Sequence, residues 1–232
     1  MNAFEKSWEL NRGESMMLNT IIWDMDGTVL NTLYDLKTSM NYTLEMFNLK
    51  SHTIEEYRHA FGNGVRYAFE EVVDNDTPAE LIDKMLPVFK EHYDKHCMDK
   101  TRPYEGIIDV MMTLKNRGYK QAIVSNKIDS AVQELYEKFF KECVDVVVGE
   151  KDGVRRKPAP DMVDEALKEL DSSKDMAIYI GDSEVDIATA RNSNLTCISV
   201  LWGFRDKDFL VESGATEFAD SPNDILKIID RL

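Results

Sequence analysis

The sequence predicts an α/β fold: a doubly wound parallel sheet with helices on both faces and a helical domain inserted after the first strand. Three observations predict it. From about residue 100 onward, short apolar runs alternate with segments of helical period, the pattern of a mainly parallel sheet with crossover helices. From Leu33 to about Met98, apolar residues recur at helical spacing and no strand signal appears. The unusual polar residues follow directly on the apolar runs, at the strand ends where such sheets bind ligands.

The elements follow in order. Residues 1–17 read as a polar tail of mixed charge, with Met16 or Met17 as an alternative start. Leu18 to Trp23 is a short apolar strand ending at Asp24. The insert, 33–99, carries helical repeats at Leu36, Met40, Leu44 and Phe47, then at Val65, Phe69, Val72 and Val73. Thr77-Pro78-Ala79-Glu80 predicts a capped helix start, and Pro87 predicts a kink or break in that helix. The flanking segments, 18–32 and 100–232, form the predicted core domain. There a helix over Glu105–Arg117 stops at Gly118, a suitable left-handed cap. Strand Gln121–Val124, helix Ile128–Phe139, strand Val144–Val148 and helix Pro160–Leu170 follow. Strand Ala177–Ile180, helix Glu184–Asn192, strand Thr196–Val200 and a Ser221-capped helix Pro222–Leu232 close the chain.

Composition narrows the function. With 28 Lys+Arg against 43 Asp+Glu the net charge is −15, which disfavours nucleic acid and anionic membrane as partners. No run of about eighteen apolar residues predicts a membrane span. Cys97, Cys143 and Cys197 show neither a zinc spacing nor a disulfide framework, which points to a reducing cytoplasm. So acidic a chain also repels phosphate esters, so a phosphate site here needs its own local positive charge.

Four clusters carry chemistry. In Asp24-Met25-Asp26-Gly27-Thr28, two carboxylates two residues apart in extended chain point the same way. One suits a nucleophile or metal ligand and the other a general acid and base, although a plain strand-ending turn has the same composition. Ser125-Asn126-Lys127 offers a hydroxyl and N–H groups for phosphate oxygens, or is an ordinary loop. Arg155-Arg156-Lys157-Pro158-Ala159-Pro160 places three cations before a stiffened turn, as a fixed ammonium at Lys157 or as a solvated basic loop. In Gly181-Asp182-Ser183-Glu184-Val185-Asp186, Asp182 ends a strand and Asp186 falls in the first turn of a helix. There a carboxylate serves either Mg²⁺ or the helix dipole.

Taken together and in this order, the clusters resemble motifs I to IV of the haloacid dehalogenase (HAD) superfamily phosphatases, from Leu18 to the C-terminus. The insert resembles the small helical cap of one large subgroup. Phe61-Gly62-Asn63-Gly64-Val65-Arg66 and Trp202-Gly203-Phe204-Arg205 resemble segments of bacterial phosphoglycolate phosphatases, while Asn31-Thr32 stands where those more often show Asp-Ser.

The resemblance implies a Rossmann-like core and a Mg²⁺-dependent hydrolysis of a small phosphate ester. Asp24 would be the nucleophile that forms an aspartyl-phosphate, with Asp26 as acid and then base. The metal would be held by Asp24, the Asp26 carbonyl and Asp182, with Asp186 acting through water or from behind the direct ligands. Ser125, Asn126 and Lys157 would hold the transferring oxygens. Gly62, Asn63 and Gly64 would face the substrate's far end, where Arg66 would pair with a carboxylate or else stand as an exposed helix residue. The cap would close about hinges near Leu33 and Met98–Pro103. His92 and His96 read as a solvated helix face; Phe61, Tyr67 and Phe69 as core; Trp202 and Phe204 as active-site rim or loop packing. The chain is expected to act as a monomer or homodimer. The competing readings are a pyrophosphatase, a phosphosugar mutase, a dehalogenase and a non-catalytic binding protein. Asp26 argues against the dehalogenase, and Gly181-Asp182 against the mutase.

Overall fold

The computed structural model describes residues 18–232, so the predicted polar tail lies outside the described residues. Strand β1 (Thr20–Trp23) is buried along its whole length and runs through the middle of a six-stranded parallel sheet. On one side it pairs with β4 (Lys120–Ile128), which pairs with β5 (Val146–Glu150). On the other side come β6 (Ala177–Gly181), β7 (Thr196–Val200) and β8 (Glu217–Ala219). A central strand buried on both faces cannot alternate polar with apolar, and its Thr-Ile-Ile-Trp sequence does not.

Successive side chains divide between two cores. Ile21, Trp23, Ile123, Ile178 and Ile180 face α5 (Ile107–Asn116), α6 (Asp129–Phe139) and α10 (Pro222–Ile229). Ile22, Ala122, Val124 and Tyr179 face α7 (Asp161–Glu169) and α8 (Glu184–Asn192). The sheet is therefore covered on both sides, as the sequence predicts. Helix α5 ends as expected at Gly118, which is left-handed at φ +86°; Gly118 N–H and Tyr119 N–H close a Schellman motif on Lys115 and Leu114.

The insert packs four helices around its own apolar cluster: α1 (Leu33–Met46), α2 (Ile54–Ala60), α3 (Val65–Val72) and α4 (Ala79–His96). Its two crossings to the sheet run side by side, because β2 (Leu30–Asn31) pairs antiparallel with β3 (Arg102–Pro103). Buried Asp35, one turn into α1, accepts from Lys100 N–H, Thr101 N–H and the Thr101 hydroxyl, fixing the returning chain beside the departing one. The two regions read as hinges are thus bound to each other.

Several expectations are corrected. Thr77 does not cap α4; Pro78 occupies the cap position and the helix begins at Ala79. The helix also continues through Pro87. An interior proline costs about 3 kcal/mol, but Ile82, Met85, Phe89 and Tyr93 on either side are buried, each worth roughly 1.5–3 kcal/mol. Strand β4 extends past Val124 to Ile128 through a register irregularity, so Ser125–Lys127 lie within a distorted strand end and not after it. Helix α9 (Lys207–Glu212), β8 and the paired β2 and β3 had no sequence signal. Tyr67 is exposed, unlike buried Phe61 and Phe69. His92 stacks on Tyr42 and bonds Ser39, while His96 pairs with Asp99.

Candidate active site

The site forms where β1, β4 and β6 end together. Asp24 N–H donates to Ile180 O at 2.8 Å, which holds the residue after β1 in line with the neighbouring strand. The chain then turns back tightly, with Val29 and Leu30 N–H groups on Met25 O. Gly27 is required in that turn. Its φ is +92°, and a Cβ would stand 2.3 Å from Asp182 Oδ2.

Lys157, fully enclosed, is the hub. Its ammonium donates to Asp24 Oδ1 at 2.6 Å, Asp186 Oδ1 at 2.8 Å and the Tyr179 hydroxyl at 2.9 Å. Burial alone would lower its pKa, but Asp186 and Asp24 outweigh that and hold it above the usual lysine range. The lysine is steered by Asn126, whose amide brackets the Lys157 backbone, accepting from its N–H at 2.8 Å and donating to its carbonyl at 3.1 Å. The Asn126 side chain is therefore committed to the Lys157 backbone through its oxygen and one of its N–H groups. Buried Ser125 accepts from Lys127 N–H at 3.2 Å.

Asp186 is saturated. It accepts from Ser183 N–H, Ser183 Oγ, Asp182 N–H, Tyr179 OH and Lys157, five bonds against about four lone-pair sites. Burial works to raise its pKa, but Lys157 beside it outweighs this and keeps the carboxyl low. Asp182 accepts from Thr28 Oγ1 at 3.2 Å and from Phe204 N–H at 2.6 Å. Burial, then the Asp186 charge, push Asp182 up to about 7 and Asp24 well above the carboxylate range. One oxygen each of Asp24, Asp182 and Asp186 lie within 4.8 Å of one another. Three buried carboxylates facing one ammonium leave a surplus of negative charge. That surplus and the all-oxygen donor set fit a hard divalent cation.

Asp26 faces a second buried cation. Its Oδ1 lies 3.1 Å from the Lys127 ammonium, which also donates to the Tyr93 hydroxyl of α4 at 2.8 Å and sits over that ring. Lys127, Tyr93, Tyr179 and Thr28 were not assigned from sequence. Lys127 and Thr28 lay in clusters already singled out, but Tyr93 and Tyr179 are ordinary residues of a helix and a strand and carry no local signal.

A cavity of about 500 Å³ joins these groups to the insert. Asp24, Asp26, Ser125, Asn126, Lys157, Asp182 and Asp186 line its floor; Leu36, Phe61, Val65, Leu86 and Phe89 form an apolar wall. Gly62 and Gly64 also line it, whereas the Asn63 amide is turned to Glu184 at 3.2 Å. Arg66 reaches the rim but pairs with Asp83 and with Glu70, so the expected carboxylate reader is already engaged by its own domain. Arg156 lines the cavity as well. Its guanidinium lies 2.8 Å from where a Gly64 Cβ would be, and among the described residues it forms no ion pair. Trp202 donates to Thr28 O at 3.0 Å, bracing the first turn, while the Phe204 ring is buried in the insert's cluster.

Comparison with known proteins shows the family and supports the fold. The profile of the family "Haloacid dehalogenase-like hydrolase" matches residues 21–200. A solved structure from Lactobacillus delbrueckii subsp. bulgaricus, provisionally named a phosphoglycolate phosphatase, superimposes with a TM-score of 0.86 at 40% identity over 92% of this chain and 99% of that one. The phosphoglycolate phosphatase of Aquifex aeolicus is 26% identical over 92% of this chain and 97% of its own length. Pyrophosphatase PpaX of Bacillus cereus is 29% identical over 92% and 97%. The chain belongs to the haloacid dehalogenase-like hydrolases, beside relatives that are named phosphatases.

Proposed function

We propose that this chain is a Mg²⁺-dependent phosphatase that hydrolyses a small, phosphoglycolate-like phosphate monoester through an aspartyl-phosphate on Asp24. The observation that carries the reading is the Lys157 ammonium, 2.6 Å from Asp24 and fixed on three sides, in a cavity that also holds Asp26 and Asp182.

In the first step a carboxylate oxygen of Asp24 attacks phosphorus and the bond to the ester oxygen breaks. Asp26 gives that leaving oxygen a proton. In the second step water attacks phosphorus, the Asp24–phosphorus bond breaks, and Asp26 takes the water's proton. Lys157 and Ser125 face the transferring oxygens, and Asn126 holds Lys157 in place. Asp24, Asp182 and the Asp26 carbonyl would hold the cation, with Asp186 behind them. It would offset the repulsion between an anionic nucleophile and an anionic ester.

Two features bear on the leaving group. The apolar wall favours an ester with a carbon skeleton over pyrophosphate. With Arg66 paired, Arg156 is the cation placed to meet a carboxylate on that skeleton. Arg156→Ala should raise KM for phosphoglycolate about 3- to 10-fold, the worth of an exposed charged hydrogen bond, and leave an ester with an uncharged alcohol unchanged.

The deciding experiment measures phosphate release from phosphoglycolate, pyrophosphate and sugar phosphates, with and without Mg²⁺. Asp24→Asn should abolish turnover while circular dichroism stays native. Turnover retained in Asp24→Asn, or no release from any ester with Mg²⁺ present, would overturn the assignment.

A further inference from the structure

The loop after β7 touches the site and the insert at adjacent residues. The Phe204 N–H holds Asp182 Oδ2 at 2.6 Å. The side chain on that same residue is buried in the insert's apolar cluster. The next residue, Arg205, is nearly fully buried and donates to two carbonyls of the insert, Arg58 O at 2.9 Å and Phe61 O at 2.9 Å. Two more of its N–H groups go to Glu184, at 2.8 and 3.0 Å. In return Arg58 donates to Gly203 O at 2.9 Å. The loop has no slack against Asp182, since a Cβ on Gly203 would lie 2.3 Å from Asp182 Cβ.

We propose that Arg205 is a positioning residue that couples docking of the helical insert to the orientation of the Asp182 carboxylate. The guanidinium fork locks the turn at 58–61 onto the 203–205 loop, and one residue away the same loop fixes Asp182 Oδ2. A displacement of the insert pulls on Phe204 and Arg205, and so on the N–H that aims Asp182. The coupling must be reciprocal. Whatever binds Asp182 in its docked orientation also favours the docked insert. The inference rests on the reading of Asp182 as a divalent-cation ligand, and the controls separate the two.

The test uses the full chain and Mg²⁺ or Mn²⁺ alone, with no substrate. Calorimetric titration gives the ion's Kd, and hydrogen exchange follows the amides of residues 58–64. In the native protein the ion should slow exchange at 58–64. Arg205→Ala should weaken the ion about 5- to 10-fold, in the range of ordinary coupling between sites, and abolish that protection. Arg205→Lys should resemble Arg205→Ala, because an ammonium cannot span two carbonyls and a carboxylate. Glu184→Gln, whose amide oxygen still accepts, should fall between. Should Arg205→Ala fail to fold, Arg205→Lys and Glu184→Gln carry the same readouts. Native ion affinity in the Arg205 variants, or exchange at 58–64 that ignores the ion in the native protein, overturns the coupling. Asp182→Asn is the separate control: if it binds the ion as tightly as the native chain, the cation reading itself fails.

Discussion

Lys157 balances two buried carboxylates at once, so its removal should be felt in both stability and turnover. Lys157→Met leaves Asp24 and Asp186 facing each other without a cation, at a cost of about 3–5 kcal/mol. It should also lower kcat at least about 100-fold, read by thermal melting and by phosphate release. Asp182 supplies a pH prediction. Its folded pKa, about 7, lies above the ordinary 3.8, so the folded chain binds more protons than the unfolded one between those values. Stability of the chelator-treated protein should therefore fall as pH rises from about 4 to about 7. Asp182→Asn should flatten that slope when melting points are compared across the window. At this scale the paired acids and Asp182 stood out as candidates because they fall at the ends of apolar runs, where such sheets collect ligands, whereas Lys157 stood out as one of three cations in a polar loop of an acidic chain. Sequence left Arg66 open between a carboxylate reader and a surface residue, and it could not foresee the pairing with Asp83, which lies on another helix 17 residues away, a contact that no local pattern records.

Among the elements, the strands and crossover helices were legible from period and length, and helices ending in strong signals, such as Gly118, were placed well. The weakly signalled pieces were not. Strands β2 and β3 contribute two residues each, too few for any period, yet they set where the insert departs and returns. Pro87 was read by its local cost, whereas packing along α4 decides the outcome. Asp35 is the buried polar group on which the insert's root depends. Asp35→Asn turns part of an acceptor into a donor facing N–H and O–H groups that need acceptors. The loss should be roughly 3 kcal/mol, or about 6–12 °C in melting temperature for a chain of this size.

On the scale of the whole molecule, a chain of net charge −15 gathers two enclosed lysines, Lys127 and Lys157, at one end of its sheet. They do not neutralise the site's acids, which leaves a place for a cation. Mg²⁺ at about 100 times its Kd should raise stability by about 2.7 kcal/mol, roughly 5–10 °C, and Asp182→Asn should lose that gain in a melting experiment. The division into two parts was suggested by the abrupt change of period near residue 100. How the parts meet was not readable. Phe204 and Tyr93 look like packing residues wherever they fall, and only the folded chain shows that one is buried across the junction while the other reaches Lys127.

The antiparallel rungs Leu30–Pro103 and Asn31–Arg102 carry a consequence for engineering. Partners that already face one another are natural ends for a tight hairpin, so the whole helical lobe is an excisable cassette. Bridging Asn31 to Arg102 with a two-residue Asn-Gly turn should leave the sheet able to fold, provided Phe204, stripped of its cover, is changed to a polar residue. Lobes from relatives could be grafted at the same pair of rungs, making leaving-group choice a transplantable trait while the chemistry of the sheet stays behind.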